Sequence, residues 1–503
     1  MSDQAHGDPI DLTKFAAPLA EETEKKPKES KRLYDYVDGW VLERWHTPEG
    51  IPMATIKRRA GHLEHHPTDS KFFDRGMRMV FHAKEEAPPS NNAIRDVREM
   101  LGSQAVLEGA ERQIYLRVAY LEDPRRIYID LGSKNHEAVE VTPEGWKILP
   151  AHEVPVRFYR PALMGAMPTP VQGGSVAVLR PFLNVDDQGF VLLIAWIVMA
   201  LRGEGPYPAL SLNGEQGTGK STLSRIAQKL VDPSPVGIRG AIKDGQDLFI
   251  AAQKSHLVVL DNLSEIADKF SDDICRILTG GTFSTRKFYT NDEEVALKAC
   301  RPILINGITE LMTRGDLVSR GIRLILEPVP EGHRKAERDL YPEIDEVLGE
   351  AFGGLLTALS GALARWDQVQ VPAGHRMADF AKFVLAAEPD LPWAPGAFLE
   401  AAANARHDLT LATLEGDTFG LRLRDLVQSV GAWEGTCQAL LDVLSQGITP
   451  EQRSDGWPRT AKGASSALRR AAPLLRQLGF NFTSIRKSGG NRDRLNRITA
   501  PSE

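Results

Sequence analysis

The chain has 503 residues, too many for a single hydrophobic core, and its 42% hydrophobic and 25% charged residues are typical of a globular protein. Its three cysteines lie far apart in the sequence, which excludes a disulfide framework and a cysteine-based zinc site and suits a reducing compartment. The first residues contain no apolar segment of the signal-peptide kind, and the longest apolar run, residues 190–201, is too short to span a bilayer. We therefore expect a cytoplasmic protein.

The net charge of −6 is unevenly distributed. From residue 457 to the end the sequence contains ten basic residues and only two acidic ones, so a basic segment follows an acidic body. A basic module of this kind predicts a polyanionic partner.

The elements predicted along the chain divide it into five segments. Residues 1–32 are polar and are expected to be disordered. Short runs such as "MRMVFHA" predict strands in the next segment, which one helix near residues 92–107 interrupts. Strands and helices then alternate, as in a parallel sheet with crossover helices. The last fifty residues follow a mostly helical stretch and predict a helix, a turn, a second helix and a hairpin. The predicted segments are a disordered N-terminus (1–32), an α+β domain (33–175), an α/β core (176–332), a helical domain (333–445) and a basic domain (446–503).

A phosphate-binding loop is the most specific motif of the sequence. The apolar strand Pro208–Asn213 leads into G-x-x-x-x-G-K-[ST] and then directly into a helix, and this order of elements makes a chance match in a glycine-rich loop a poor alternative. Backbone N–H groups of such a loop and of the helix N-terminus bind phosphates, a lysine supplies positive charge and a hydroxyl binds Mg²⁺. The predicted nucleotide-binding residues are Gly214, Glu215, Gln216, Gly217, Thr218, Gly219, Lys220, Ser221 and Thr222, with Ser221 also a ligand of Mg²⁺.

A carboxylate for the same metal ion is expected at the end of a neighbouring strand. Four apolar residues precede Asp261, as in a central parallel strand, and ligands bind at the carboxyl edge of open α/β sheets. An ordinary turn after the strand is the alternative. Asn262 follows, where many ATPases carry the glutamate that activates the attacking water. Asn262 can orient water but cannot accept a proton, so either Glu265 is the base or hydrolysis is slow.

Two further residues are candidates for the same chemistry. Asn306 ends the apolar strand "RPILIN" and is predicted to position water beside the γ-phosphate, although Asn306-Gly307 could be a simple turn. Arg320 precedes another strand, where ring ATPases place an arginine that enters the neighbour's site. A surface arginine is the alternative for Arg320, and Arg314 and Arg323 are lesser candidates.

These motifs, in this order, resemble the AAA+ ATPases, and among them the superfamily-3-like helicase/primase-associated ATPases of phages and mobile elements. The resemblance implies an α/β P-loop core between an N-terminal α+β domain and a C-terminal helical region, with ATP and Mg²⁺ as cofactors. It also implies a homo-oligomeric ring, a hexamer in our prediction, with DNA in its central pore. No primase catalytic segment is recognisable, so a separate primase is a possible partner.

The resemblance assigns the segment 283–298 to a hairpin in the pore. Arg286 and Lys287 would contact DNA phosphates, and Phe288 or Tyr289 would stack on bases. The acidic residues near the turn leave open a hairpin that only packs on the sheet.

The basic end of the chain predicts a winged helix that binds DNA. An amphipathic helix at 465–478 presents arginines outward, and a hairpin with a Gly-Gly turn carries the remaining charge. A winged helix that binds protein is the alternative. The predicted DNA contacts in this domain are Arg469, Arg470, Arg486, Lys487, Arg492 and Arg494.

One other motif and two functional hypotheses remain. The sequence "HLEHH" at 62–66 lacks the spacing of H-E-x-x-H and is expected to be a solvated loop without metal.

The first functional hypothesis is a DNA-dependent ATPase motor, a helicase or replication initiator of a phage or mobile element. The second is a slow, nucleotide-switched regulatory or defence ATPase, which Asn262 favours.

Overall fold

The structure, a computed structural model, describes most of the chain. The described residues are 27–58, 61–238, 242, 244–286, 294–330, 332, 335–371, 377–447, 457–486 and 494–501. The predicted disordered segment therefore lies mainly outside the described residues, but a helix already begins at Glu29, earlier than the predicted domain start at residue 33.

Contacts between Cα atoms divide the chain into two compact units. The first comprises Met1–Val141 with Trp146–Met167, and the second Thr142–Gly145 with Pro168–Glu503. The first unit contains two four-stranded sheets, with strand orders β3-β2-β1-β4 and β5-β6-β7-β8. Its elements are α1 (Glu29–Asp38), β1 (Val41–His46), β2 (Pro52–Lys57), β3 (Leu63–Pro67), α2 (Lys71–Glu85), α3 (Asn91–Leu107), β4 (Ala110–Glu111), β5 (Val118–Glu122), β6 (Arg125–Asp130), β7 (Ala138–Thr142) and β8 (Gly145–Leu149).

Two predictions for the first unit are wrong. The run "MRMVFHA" lies in helix α2, because Phe73, Met77 and Phe81 recur every fourth residue and are buried on one face of the helix. Ser70 begins this helix by accepting a hydrogen bond from the N–H of Phe73. The run "HLEHH" is not a solvated loop, since it forms most of strand β3.

The second unit contains the predicted α/β core. Its elements up to residue 365 are α4 (Asp187–Ala200), β9 (Ala209–Asn213), α5 (Lys220–Val231), α6 (Gly245–Lys254), β10 (Val258–Leu263), α7 (Asp268–Leu278), β11 (Thr282–Arg286), β12 (Glu294–Lys298), β13 (Ile303–Gly307), α8 (Gly315–Val318), β14 (Gly321–Ile325) and α9 (Glu337–Arg365).

Strands β9, β10, β13 and β14 form one parallel sheet in the order β10-β13-β9-β14. Leu210 in β9 lies beside Leu304 in β13 and Ile322 in β14, and all three side chains are buried. The continuous apolar runs of these strands suit a sheet that is covered on both faces. Because the four strands are parallel, their carboxyl ends all lie at the same edge of the sheet. Strands β11 and β12 form a separate antiparallel pair at the predicted pore segment.

Helix α9 is long and apolar enough by composition to cross a membrane, and among the described residues it is the one helix that is. Within the structure 67% of its most apolar window is buried against the rest of the protein. That burial is typical of a core helix in a soluble fold. Pro342 lies in the second turn of this helix, which continues beyond it to Arg365.

Residues on both sides of the predicted boundary at 446 contribute to one sheet near the end of the chain. A short strand, β15 (Ala432–Gly435), lies within the segment predicted to be mostly helical and pairs with β17 (Arg494–Thr499). The sheet order is β15-β17-β16, and the predicted second helix before the hairpin is absent from residues 457–486. The remaining elements are α10 (Ala378–Ala387), α11 (Ala397–Glu415), α12 (Thr418–Val430), β15 (Ala432–Gly435), α13 (Cys437–Ser445), α14 (Ala461–Gln477), β16 (Asn481–Arg486) and β17 (Arg494–Thr499).

Candidate nucleotide-binding site

The predicted phosphate-binding loop connects the end of β9 directly to the N-terminus of α5. Gly219 stands at the N-terminus of α5 with φ of 86°, a conformation that L side chains rarely adopt, and helix α5 begins at Lys220. Gly214 approaches the carbonyl oxygen of Leu326 so closely that a Cβ would lie 2.5 Å from it. The loop is thus held against the end of β14 at one side and opens onto the N-terminus of α5 at the other.

Lys220 points back into this loop. Its Nζ donates hydrogen bonds to the carbonyl oxygens of Gly214 and Glu215, both at 2.7 Å. Partial burial lowers the pKa of Lys220, and the nearby Asp261 carboxylate opposes that effect. The ammonium group therefore lies inside the concave side of the loop, where a phosphate would meet it.

Three polar side chains meet at the carboxyl edge of the sheet. Ser221 Oγ lies 3.2 Å from Asp261 Oδ1, and the Asn306 amide nitrogen donates to the same Asp261 oxygen at 2.5 Å. Asn306 Nδ2 also lies 2.9 Å from Ser224 Oγ, and the Asn306 side chain is buried. Ser221 follows β9, Asp261 lies in β10 and Asn306 in β13 between them, so the sheet order brings together residues that are 85 positions apart.

Asn306 is more than the end of an Asn-Gly turn. Its Oδ1 accepts a hydrogen bond at 2.8 Å from the backbone N–H of Asn262, whose φ of 57° is left-handed. The side chain of Asn262 is exposed, and so is that of Glu265 in the segment after β10. This hydrogen bond holds Asn262 beside the cluster of Ser221, Asp261 and Asn306. None of the described hydrogen bonds joins Glu265 to that cluster.

Sequence reasoning missed a residue that fixes the loop from outside the motif. Asn184 Nδ2 lies 2.9 Å from the carbonyl oxygen of Thr218 and 2.5 Å from that of Glu327, so it connects the loop to the segment after β14. Asn184 is more than thirty positions from Thr218 and belongs to no local motif. The signal in the sequence that could have indicated Asn184 is its position just before Asp186, the N-cap of α4.

Arg320 lies at the opposite edge of the sheet from the phosphate-binding loop. Its carbonyl oxygen accepts a hydrogen bond from Ala209 N at the start of β9, whereas the loop follows the end of that strand. The five residues of β9 separate the two edges by about 15 Å. The Arg320 guanidinium pairs with Asp316 one helical turn earlier. Of the lesser candidates, Arg314 pairs with Asp272 at 3.2 Å and Arg323 with Glu310 at 2.8 Å.

The predicted DNA contacts are described only in part. Arg469 and Arg470 are exposed on α14. Exposed Lys462, Arg469 and Arg476 recur at seven-residue intervals and therefore share one helix face. Helix α14 contains no acidic residue. Lys487, Arg492 and Lys287 lie outside the described residues, as do the side chains of Arg286, Arg486 and Arg494.

Comparison with protein families gives two adjoining matches. Residues 177–404 match the family described as "Actinomycete integrative conjugative element replication protein", and residues 419–503 match the "AICE RepA C-terminal domain". Both descriptions concern parts of one kind of protein, RepA, and together they cover most of the second unit. These matches identify the chain as a replication protein of a mobile genetic element.

In this replication protein, the residues of the candidate nucleotide site fall within the first match and helix α14 within the second. The second match begins at residue 419, close to the start of α12 and well before the predicted boundary at 446. No curated protein matches the chain.

Solved structures give a weaker likeness. Two apo structures of the NrS-1 C-terminal region, one of them the A form, are 14% and 15% identical to this chain, each with a TM-score of 0.38. The alignments cover 95% and 94% of this chain and 100% of both NrS-1 chains. A likeness at this level carries no argument about activity.

Proposed function

We propose that this replication protein is an ATP-hydrolysing motor that acts on DNA, as a helicase or replication initiator of its mobile element. The observation that carries the proposal is the cluster of Ser221, Asp261 and Asn306 beside the loop that holds Lys220. A lysine, a hydroxyl and a carboxylate that converge at the carboxyl edge of a parallel sheet are the groups that bind a nucleoside triphosphate with Mg²⁺.

Each group of the cluster has a distinct part in the proposed reaction. The N–H groups of the 214–222 loop would bind the phosphates, and Lys220 would leave the carbonyls of Gly214 and Glu215 for the β- and γ-phosphates. Ser221 and Asp261 offer the hard oxygen ligands that Mg²⁺ prefers, and the ion would neutralise phosphate charge. Asn306 would orient Asp261 and the attacking water.

The position of Arg320 supports a ring of AAA+ type. Because Arg320 lies at the far edge of the sheet, it cannot reach the phosphates bound by its own subunit. It would have to leave Asp316 and enter the site of a neighbouring copy, where its charge would stabilise the transition state. An oligomeric ring, in our prediction a hexamer, satisfies this requirement, with β11 and β12 as the proposed pore hairpin.

The C-terminal domain supplies a surface suited to DNA. A three-stranded sheet packs with α12, α13 and α14 around one core, an arrangement that supports a winged helix. The exposed basic face of α14 would meet phosphates, because their neutralisation dominates affinity for DNA.

One observation favours a second function, a slow nucleotide-dependent switch. Asn262 occupies the position after Asp261, is fixed by the backbone hydrogen bond to Asn306 and cannot accept a proton. Without a base, ATP would persist in the site and its binding rather than its turnover would control the protein.

The rate of ATP hydrolysis by the purified full chain, with and without single-stranded DNA, separates these functions. A motor is expected to hydrolyse ATP faster when DNA is present, at a rate that saturates with DNA concentration. A slow rate that DNA does not change, with ATP binding intact, would reject the motor and support the switch. Failure to bind ATP at all would reject both.

Replacing Arg469 and Arg470 together with alanine is expected to weaken DNA binding several-fold at moderate salt. The physical reason is the loss of two phosphate contacts, which should also reduce the slope of log affinity against log salt concentration by about 2. Fluorescence anisotropy with a labelled duplex across a salt series measures both quantities. The matched control replaces two exposed arginines on other helices, Arg95 in α3 and Arg338 in α9. If the control and the double variant lose affinity equally, α14 does not contact DNA.

A further inference from the structure

A cluster of histidines surrounds one glutamate in the first unit, whereas the proposed nucleotide site belongs to the second unit. His62 Nε2 lies 3.3 Å from Glu64 Oε1, and His136 Nε2 lies 3.7 Å from the same oxygen. These three ligand atoms all lie within 4.8 Å of one another. The side chains of His62, Glu64 and His136 are 12–19% exposed, so the cluster is largely enclosed.

The strand that contains Glu64 explains how the cluster arises. Along β3 alternate side chains point to opposite faces, so Glu64 and His66 share one face. His62 directly precedes the strand and reaches Glu64 on that same face. His65 points to the other face, where it is buried and bonds to Thr55 Oγ1 at 3.0 Å. The spacing H-x-E-x-H is therefore the strand counterpart of the helical H-E-x-x-H spacing that the sequence lacks.

The third member comes from the connection between β6 and β7. His136 has a left-handed φ of 58°, which is uncommon for a residue other than glycine, and its N–H donates a hydrogen bond to the carbonyl oxygen of Ser133 at 3.1 Å. This turn places the His136 ring on that of His62, with 3.8 Å between the ring centroids. The unusual backbone of His136 is thus what brings its imidazole to Glu64.

We propose that His62, Glu64 and His136 bind a divalent transition-metal ion of the zinc class. Two ligand atoms bound to one tetrahedral zinc ion are separated by roughly 3.3–3.6 Å, given bond lengths of about 2.0–2.2 Å. Of the two distances to Glu64 Oε1, that of His62 (3.3 Å) lies within this range and that of His136 (3.7 Å) lies slightly above it. Two imidazoles and one carboxylate suit zinc, whereas Mg²⁺ and Ca²⁺ prefer oxygen ligands alone.

His66 is a positioning residue in this site. Its Nε2 lies 3.0 Å from Glu64 Oε2, the oxygen that the ion does not use, and its ring stacks on Phe72 at 3.8 Å. A histidine that bonds to a ligating carboxylate in this way fixes the orientation of the ligand. Phe72 in turn holds the ring of His66.

Two adjustments accompany metal binding. The planes of the stacked rings of His62 and His136 differ by only 19°, so the rings must tilt until their nitrogen lone pairs converge on one ion. Arg58 Nε lies 3.3 Å from Glu64 Oε1, and the ion displaces this contact, because the Arg58 side chain is 45% exposed and can turn into solvent.

Three protein ligands leave one position of a tetrahedral ion open. Glu64, His66 and His136 line a cavity of about 490 Å³, together with Arg157 and Arg160. The open position can therefore hold a water molecule that faces this cavity.

The test is a titration of the metal-free full chain with Co²⁺, whose tetrahedral complexes absorb visible light, followed by displacement with Zn²⁺. One equivalent is expected to bind. His62→Ala, Glu64→Gln and His136→Ala should each abolish this binding, and His66→Ala should weaken it about 10–100-fold. The matched control is His152→Ala, whose side chain is 77% exposed and whose loss should change nothing.

Two measurements keep the result independent of folding defects. Zn²⁺ should raise the thermal unfolding temperature of the wild-type chain and of His152→Ala but not of the three ligand variants. X-ray absorption of the wild-type zinc complex should show two imidazoles and no sulfur. Absence of stoichiometric binding by the wild-type chain, or binding by His136→Ala equal to that of the wild type, would overturn the proposal. ATP hydrolysis is a separate readout, so this result does not depend on the proposed motor.

Discussion

Replacement of Lys220 with alanine is expected to lower the rate of ATP hydrolysis by about 10²–10³-fold, the usual cost of removing one group that stabilises transition-state charge in an enclosed site. Lys220 is the one described cation whose amine lies inside the 214–219 loop, hydrogen-bonded to the carbonyls of Gly214 and Glu215. No other part of the described loop could replace its charge. Steady-state phosphate release at saturating ATP, with single-stranded DNA present, measures the effect.

Lys229 provides the matched control for this variant. It lies on the same helix, α5, but pairs with Asp345 of α9. Lys229→Ala should therefore hydrolyse ATP at close to the wild-type rate. Equal losses in both variants would show that α5 had been disturbed, and an unchanged rate in Lys220→Ala would remove the loop from the catalytic site.

Arg320→Ala is expected to reduce hydrolysis by about 10³-fold or more while ATP still binds, because arginines that act across subunit interfaces contribute effects of 10³–10⁵. The residue lies about 15 Å from the loop of its own subunit, measured along β9, so its loss should leave nucleotide affinity intact. Nucleotide binding by fluorescence and hydrolysis by phosphate release measure the two effects separately. The control is Arg323→Ala, which removes an arginine of β14 that pairs with Glu310.

A mixture of two inactive variants tests whether Arg320 acts on a neighbour. In a mixed ring, an Arg320→Ala subunit keeps Lys220 and can receive the intact Arg320 of a Lys220→Ala subunit. Partial activity in the mixture, with none in either variant alone, is the expected result. Lack of recovery in mixed oligomers that are shown to form would contradict action across the interface.

The sequence was sufficient to predict the central sheet because its information is local. Each buried strand is a continuous apolar run, and Asp261 and Asn306 each lie near the carboxyl end of one. Since parallel strands end at the same edge, their proximity followed from the strand assignment alone. The bond between Asn306 and Asp261 and the backbone bond to Asn262 add detail that spacing cannot supply.

Long-range contacts account for the features that the sequence did not predict. The metal-ligand cluster depends on His136, which is more than seventy positions from Glu64, so "HLEHH" alone gave no reason to expect it. The run "MRMVFHA" fits a strand and a helix equally well by itself, and burial of Phe73 outside that run decides for the helix. Strand β15 is only four residues long and exists through its pairing with β17.

The pairing of β15 with β17 also determines where the basic domain can be cut from the chain. Strand β17 lies in the middle of its sheet, and β15 forms one side of it from a position nearly sixty residues upstream. A fragment that starts at residue 446 would turn β17 into an exposed sheet edge and would lose the buried side chains of α12 and α13. Such a fragment would tend to aggregate whatever its affinity for DNA. The shortest piece that folds by itself therefore begins before Thr418. The arginines of α14 depend for their placement on α12, α13 and β15, which all precede the basic last segment.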